Sequence, residues 1–210
     1  MVPAALLQPA ALEPPVRFAL QEVGAAPPAT ALDRLTPGWR YADIQSRAAP
    51  GVDPRRLHAA LKGVDMGRAW IMRLMLSVCT APALLRPENP RTDFGFTFRD
   101  LERFGFTLLA DEPAEALIFG LIGRFWTPSG DIRPFAAEAW DRARGDLVKL
   151  ALGFHITETQ DGSRIDSEIR AICLSDDARW IFSGYWPLIR PLNAAARRQL
   201  LRAVTQSAGG

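Results

Sequence analysis

Residues 148–173 read VKLALGFHITETQDGSRIDSEIRAIC, and no other stretch of the chain has so clear a secondary-structure pattern. Apolar side chains alternate with polar or small ones in residues 148–156, and again in residues 165–173, as in strands with one buried face. Between the two runs, Asp161-Gly162 is typical of a type I′ turn. The stretch therefore predicts an antiparallel β-hairpin.

The two faces of this hairpin differ in polarity. Ile165 and Ile169 lie on a face that we expect to be buried, whereas Asp166, Glu168 and Arg170 alternate on the opposite face. Two carboxylates could act as general acid and base only in a dry site. Because the apolar face already accounts for the buried side of the strand, the sequence favours solvent exposure for the charged face.

Three further strands are predicted upstream. They are residues 39–49, residues 106–110 (FTLLA) and residues 115–126 (EALIFGLIGRFW), the last two being joined by a turn. The third strand is apolar on both faces, which indicates a central position in the sheet. Its Gly120 and Gly123 either relieve crowding at a bend or make room for a ligand, and the sequence leaves both interpretations open.

Helices are predicted between and after these strands. Asp53 followed by Pro54 is a helix start, and the helix runs to about residue 61. A second helix covers about residues 66–80, one helical turn lies within residues 96–104, and a short helix lies within residues 135–144.

The C-terminal helix begins at Ser175, whose hydroxyl is a typical N-cap. Pro187 and Pro191 are expected to kink or break it. A stripe at helical spacing marks its predicted buried face. The residues of this stripe are Ile181, Tyr185, Leu188, Leu192, Ala196 and Leu200.

The composition is that of an ordinary globular protein. Of the 210 residues, 48% are hydrophobic and 23% charged, which excludes disorder throughout the chain. The length favours one domain, which we place at residues 38–205, after a flexible Ala/Pro-rich segment at residues 1–37 and before a tail at residues 206–210. The net charge of +2 argues against a nucleic-acid-coating protein.

Cysteine and histidine usage excludes two kinds of site. Cys79 and Cys173 form no CxxC pair, so neither a disulfide framework nor a structural zinc motif is expected. His58 and His155 are the only histidines and are far apart in sequence, so we predict no metal and no cofactor. The N-terminus does not resemble a signal peptide, and a cytoplasmic location is expected.

Three stretches carry a resemblance to a known superfamily. They are PAEALIFGLIGRFW (113–126), DGSRIDSEIRA (161–171) and DDARWIFSGYWPLIRPLNAAARRQLLRAV (176–204). Across residues 39–204 the chain resembles an uncharacterised bacterial branch of the START-like superfamily, also called SRPBCC or Bet v 1-like. The resemblance implies an α+β helix-grip fold. In that fold a curved antiparallel sheet of about six or seven strands grips a long C-terminal helix, here proline-kinked, with two short helices after the first strand.

The resemblance also implies a cavity between the sheet and the C-terminal helix. Aromatic residues concentrate on the elements that would wall it, so we expect a small hydrophobic or amphipathic molecule, lipid-like or polyketide-like, to bind there. Ser167 and Tyr185 are the expected orienting hydroxyls. The full set of predicted ligand-binding residues is Phe119, Trp126, Phe154, Ile156, Ser167, Trp180, Tyr185, Trp186 and Ile189.

Two alternatives to a binding or carrier protein stay open. One is an enzyme of the polyketide cyclase or aromatase type, which ranks lower because the predicted inward positions carry almost no titratable group. The other is an interaction protein with a filled core.

The basic end of the chain suggests a partner. No acidic residue follows Asp177, and the arginines there could meet a membrane surface transiently, whereas nucleic acid is not expected. The arginines concerned are Arg190, Arg197, Arg198 and Arg202.

Overall fold

A computed structural model of the chain describes residues 30–65, 97–127 and 131–210. The helix predicted over residues 66–80 lies outside the described residues. The helices are α1 (Ala31–Leu35), α2 (Pro54–Gly63) and α3 (Asp176–Gly209), with 3-10 helices at Phe98–Phe104 and Ala137–Arg142. The strands are β1 (Tyr41–Pro50), β2 (Thr107–Glu112), β3 (Ala116–Gly123), β4 (Val148–Thr159) and β5 (Gly162–Cys173).

The strands form one antiparallel sheet in the order β1-β5-β4-β3-β2. The protein is therefore α+β, with a long C-terminal helix, as the sequence predicts. Within the described ranges the sheet has five strands rather than six or seven. β3 lies inside the sheet with all eight residues buried, which confirms the interpretation of its two apolar faces.

The β4–β5 hairpin is confirmed, but its turn is not type I′. Thr159 pairs with Gly162, and only Gly162 of the turn region has positive φ, at 138°. A type I′ turn needs positive φ at both central residues. The end of β1 explains the difference, because Gly51 donates its N–H to the Asp161 carbonyl at 2.6 Å, and a Cβ at position 162 would lie 2.5 Å from the Gly51 nitrogen.

Helices cover both faces of the sheet. α2 and α3 pack on the inner face, against residues such as Leu117, Phe154 and Ile165. α1 and the 3-10 helix at Ala137–Arg142 pack on the outer face, where Trp140 is buried. α1 lies within the segment predicted to be flexible, yet its Thr30 capping box is formed and Ala31 and Leu32 are buried.

α3 is assigned as one helix that runs through both prolines and includes residues 206–209. Ser175 caps it, accepting a hydrogen bond from the Ala178 N–H at 3.0 Å, as predicted. The predicted buried stripe is wrong in the first half of the helix: Ile181 and Leu188 face solvent, and Phe182 and Trp186 are buried. Both stripes have helical spacing, and the buried one places aromatic rings against the sheet.

Candidate functional site

A pocket of about 340 Å³ opens between α2, the first 3-10 helix and the β2–β3 hairpin. This volume is within the range of small-molecule sites, roughly 300–1,000 Å³. The described residues that line it come from the three elements around it and none belongs to α3. They are Lys62, Phe98, Glu102, Leu108, Asp111, Leu117 and Phe119.

The floor of the pocket is apolar. Phe98 stacks on Phe119, with ring centroids 5.4 Å apart and an interplanar angle of 14°, and Leu117 is buried beside them. Phe98 is held by the capping box of its helix, in which the Asp100 carboxylate accepts the Thr97 N–H at 2.9 Å. This backbone hydrogen bond lowers the pKa of Asp100. The floor therefore has a fixed shape and presents aromatic faces.

The rim of the pocket is charged. Lys62 Nζ donates to Asp111 Oδ2 at 2.5 Å, and the buried His58 places its Nε2 3.2 Å from Asp111 Oδ1. Glu102 stands exposed on the 3-10 helix. An apolar floor below charged groups suits an amphipathic molecule, with its apolar body inside and its polar end at the rim.

Three of the predicted ligand-binding residues lie at or behind this floor. Phe119 lines the pocket directly. Phe154 makes an edge-to-face contact with Phe98, at a centroid distance of 5.1 Å, and Ile156 belongs to the same buried cluster. The structure thus brings these three together, but only Phe119 faces the open volume.

Four other predicted residues belong to a second cluster, at the N-terminal half of α3. Its centre is Phe182, whose ring lies 5.1 Å from that of Tyr41 and 5.8 Å from that of Trp186. Trp126, Tyr185 and Ile189 complete the cluster. The eighth, Trp180, points into solvent and is 79% exposed. The predicted residues therefore do not form one site.

Ser167, the last predicted residue, lies beside a buried ion pair that the sequence analysis missed. Arg197 is 2% exposed and donates to the carbonyls of Asp43 and Ser167, at 3.0 and 2.6 Å, and to the Asp43 carboxylate. Ser167 Oγ and Arg197 Nε are buried without a hydrogen-bond partner among the described residues. The middle of the space between sheet and α3 is thus occupied by side chains, and the pocket lies to one side of it.

Burial and neighbouring charges both shift the pKa values of Asp43 and Arg197. Burial raises the pKa of Asp43, but hydrogen bonds from Arg190 and Gln45 and the nearby arginine charges outweigh it, so that pKa is lowered overall. Burial lowers the pKa of Arg197. Two titratable groups therefore face inward, which corrects the expectation that the inner face has almost none. A signal for Arg197 exists in the sequence: it stands three, four and seven residues before Leu200, Leu201 and Val204, on one helix face.

The buried Asp43 also corrects the interpretation of β1. The strand alternates as predicted, but its covered face includes Asp43 and Ala49, whereas Ile44 on the other face is 57% exposed. The four arginines predicted to meet a membrane are likewise not equivalent. Arg197 is buried in its ion pair, while Arg202 is exposed.

The charged face of β5 is not solvated, contrary to the prediction. Arg170 is 8% exposed, and α1 covers it. Its Nη1 donates to Asp33 Oδ1 at 2.7 Å and to Thr36 Oγ at 3.2 Å, and its Nε donates to Glu168 Oε1 at 2.6 Å. The sequence analysis did not predict the burial of this face, because the residues that cover it belong to the segment predicted to be flexible.

His155 lies in the same outer-face cluster, paired across the strands with Asp166. Its Nε2 is buried without a hydrogen-bond partner among the described residues. Burial lowers its pKa, since the opposing charge of Glu168 does not compensate for the loss of water. The neutral imidazole is therefore the favoured form.

The strand glycines are explained by packing. A Cβ at position 120 would lie 2.7 Å from the Trp140 ring, and one at position 123 would lie 2.9 Å from the Asp131 carbonyl oxygen. Both glycines thus admit a close neighbour from the protein itself, which favours the packing interpretation over room for a ligand.

Residues 30–65, 97–127 and 131–210 contain no group of three or more His, Cys, Asp or Glu side chains arranged to hold a metal ion. Among the helices in those ranges, none combines the length and apolar character needed to cross a bilayer.

Comparison with known proteins found no matching family model and no matching curated protein. Solved structures with partial similarity include a protein from Mesorhizobium loti, 15% identical, with a TM-score of 0.39 over 80% of this chain and 96% of that one. An uncharacterized protein from Rhizobium leguminosarum is 8% identical, with a TM-score of 0.38 over 79% and 97%. A third, from Thermus thermophilus, is 12% identical, with a TM-score of 0.33 over 80% and 97%. Similarities at this level assign neither a fold family nor a function.

Proposed function

We propose that this chain is a binding or carrier protein for a small hydrophobic or amphipathic molecule, built on a START-like helix-grip fold and acting in the cytoplasm. The observation that carries the proposal is the pocket of about 340 Å³ with a stacked Phe98–Phe119 floor and a charged rim. A volume of this size is enough to hold a small molecule. The occupant lies between α2 and the β2–β3 hairpin rather than under α3.

The position of the pocket gives a direct test with a blocking substitution. Leu108 lies on the pocket wall at the sheet edge and is partly exposed, so Leu108→Trp fills the pocket at low cost to folding. Ile44→Trp is the matched control, because Ile44 is also an exposed strand residue and lies on β1, at the opposite edge of the sheet.

The measurement is a fluorescence titration with the neutral apolar probe N-phenyl-1-naphthylamine, supported by native mass spectrometry of protein purified from its own host. We expect saturable binding to the wild type and to Ile44→Trp, and at least tenfold weaker binding to Leu108→Trp. Equal affinity for all three proteins, or no saturable binding to any of them, would overturn the proposal.

The rim favours a second candidate, an enzyme of the cyclase or aromatase type. His58 and Lys62 both approach the Asp111 carboxylate at the pocket mouth, and such groups can move a proton to or from a bound molecule. Liquid chromatography with mass spectrometry of the co-purified molecule, after incubation with wild type or Asp111→Asn, tests it. A product that forms only with the wild type favours the enzyme, and an unchanged molecule with both favours the carrier.

A further inference from the structure

The outward face of the first half of α3 is apolar and exposed. Trp180 and Leu188 are 79% and 80% exposed, more than any other large hydrophobic residue of the described chain. At 100° per residue, positions 180, 184, 187, 188 and 191 fall within an arc of about 100° on the helix. They carry Trp, Gly, Pro, Leu and Pro, all exposed, and the exposed Asp177 lies on the same arc in the first turn of the helix. Two large apolar side chains exposed on one helix face, with small residues and prolines between them, form an apolar strip that can contact a partner.

The same face becomes basic further along the helix. Arg198 and Arg202 continue the line of Trp180 and are exposed, Arg198 with one hydrogen bond to Gln45, whereas Arg190 at the flank of the line is paired with Asp43. No acidic residue follows Asp177 in the sequence. The line from Trp180 to Arg202 is about 33 Å long at 1.5 Å per residue. Beyond its acidic first turn at Asp176 and Asp177, the surface is therefore a helix face with an aromatic and an aliphatic residue toward one end and positive charge toward the other.

This combination fits an anionic lipid surface. Tryptophan is favoured at the level of the lipid headgroups, and leucine is stabilised when it is buried at the boundary between headgroups and acyl chains. Arginine binds the phosphate oxygens of the headgroups. A second copy of the chain fits less well, because two large side chains bury far less than the roughly 1,200 Å² of a stable protein interface. A membrane requires no matching contour, so this small apolar patch suffices there.

We propose that the outward face of α3, through Trp180, Leu188, Arg198 and Arg202, docks on anionic membranes. The helix lies in the membrane plane, with the sheet above it. The pocket is on another part of the molecule and does not take part in docking, so the surface stands independently of the proposed ligand.

Vesicle flotation with the full chain tests the proposal. The probes are phosphatidylcholine vesicles with and without phosphatidylserine, at low and at physiological salt. Three variants accompany the wild type: Trp180→Ser with Leu188→Ser, Arg198→Gln with Arg202→Gln, and Ile44→Ser as an exposed apolar control on β1. Each substituted side chain is exposed, so thermal unfolding should show all of them folded.

We expect the wild type and Ile44→Ser to bind phosphatidylserine vesicles, with binding that weakens as salt increases. The Trp180/Leu188 variant should bind at least tenfold more weakly on all vesicles, and the Arg198/Arg202 variant should lose the preference for phosphatidylserine. Absence of wild-type binding, or binding by the Trp180/Leu188 variant equal to that of Ile44→Ser, would overturn the proposal. A lipid-free dimer that the Trp180/Leu188 variant abolishes would instead assign the face to a second copy.

Discussion

On the inner face of the sheet Arg197 is 2% exposed, and on the outer face Arg170 is 8% exposed, yet the two arginines are covered very differently. Arg197 is carried by the 34-residue helix α3 and bonds to β1 and β5. Arg170 is carried by β5 and is covered by the five-residue helix α1, whose Asp33 is partly open to solvent. One buried charge is enclosed by the main packing of the molecule, and the other is enclosed by a short helix docked on it.

The comparison indicates that the two buried charges become hydrated in different events, one in global unfolding and the other in a local opening. Displacing α3 to hydrate Asp43 and Arg197 would expose the inner core, so their interaction is part of the global transition. Displacing α1 exposes mainly Leu32 and its neighbours on the outer face, so the Arg170 cluster can open locally. Three measurements separate the two cases.

The largest effect is expected for Arg197→Met. The substitution removes the buried partner of the Asp43 carboxylate and leaves it only the half-exposed Arg190 and Gln45, which costs about 3 kcal/mol of the free energy of unfolding, the lower end of the range for a broken buried pair. Urea denaturation measures it. In the double variant Asp43→Leu with Arg197→Met both charges are replaced by apolar groups, and most of the loss should be recovered. A loss below about 1 kcal/mol in the single variant would show that Arg190, Gln45 or water compensates the Asp43 charge and would contradict the expectation.

A smaller effect is expected for Arg170→Met. Asp33 and Glu168 lose their shared donor but lie near enough to solvent to be rehydrated, so we expect a loss of about 1–3 kcal/mol. The change should appear first as faster hydrogen exchange in residues 30–36, before any global effect. Arg164→Met is the matched control, because it removes a more exposed arginine on the same strand face and should cost less than about 1 kcal/mol. Equal exchange rates in α1 for both variants would contradict local opening.

The smallest effect is expected in the pH dependence of stability. His155 on the outer face and Asp43 on the inner face should affect stability in different pH ranges. Burial lowers the pKa of His155 below its ordinary 6.5, so the stability it supports is complete above that value and decreases as pH falls toward the folded-state pKa. The pKa of Asp43 is lowered from 3.8, so the stability it supports is lost only as pH falls below that value.

Urea midpoints of the wild type and His155→Gln at pH 7.5, 5.5 and 4.5 check the outer-face window. Between pH 7.5 and pH 5.5 we expect the wild type to lose more stability than His155→Gln. Parallel curves for the two proteins would mean that His155 does not titrate differently on folding. Asp43→Asn should lower stability at every pH above about 4, where the wild-type carboxylate is ionised and paired, and should remove the further loss below that pH.

Local patterns predicted much of the fold. The β4–β5 alternation, the Asp53-Pro54 helix start, the two-sided apolar β3 and the Ser175 cap all appear in the structure. Each depends on residues within one element, where side-chain period and capping chemistry are sufficient. The stripe on α3 failed because two stripes of equal spacing compete there, and only contact with the sheet selects Phe182 over Ile181.

The candidate site was less predictable. Phe119 was identified from its place on an apolar strand, but Phe98, Lys62 and Asp111 come from three elements that meet only in the fold. Asp43 and Arg197 stand 154 residues apart; Arg197 shares a helix face with apolar residues, but nothing within β1 marks Asp43 as buried. Arg170 was misplaced because its cover comes from α1, a five-residue helix in an Ala/Pro-rich region.

The sequence by itself determined the elements: which stretches are strands, where helices begin, and which strand lies inside the sheet. The periods of two and 3.6 residues and the capping side chains are local, so one chain segment suffices to specify them. Only the tertiary structure decided where the charges and the empty volume lie. Burial of Arg197, burial of Arg170 and the pocket beside α2 depend on which distant segment covers each face, and that choice is driven by burial of apolar area over the whole molecule.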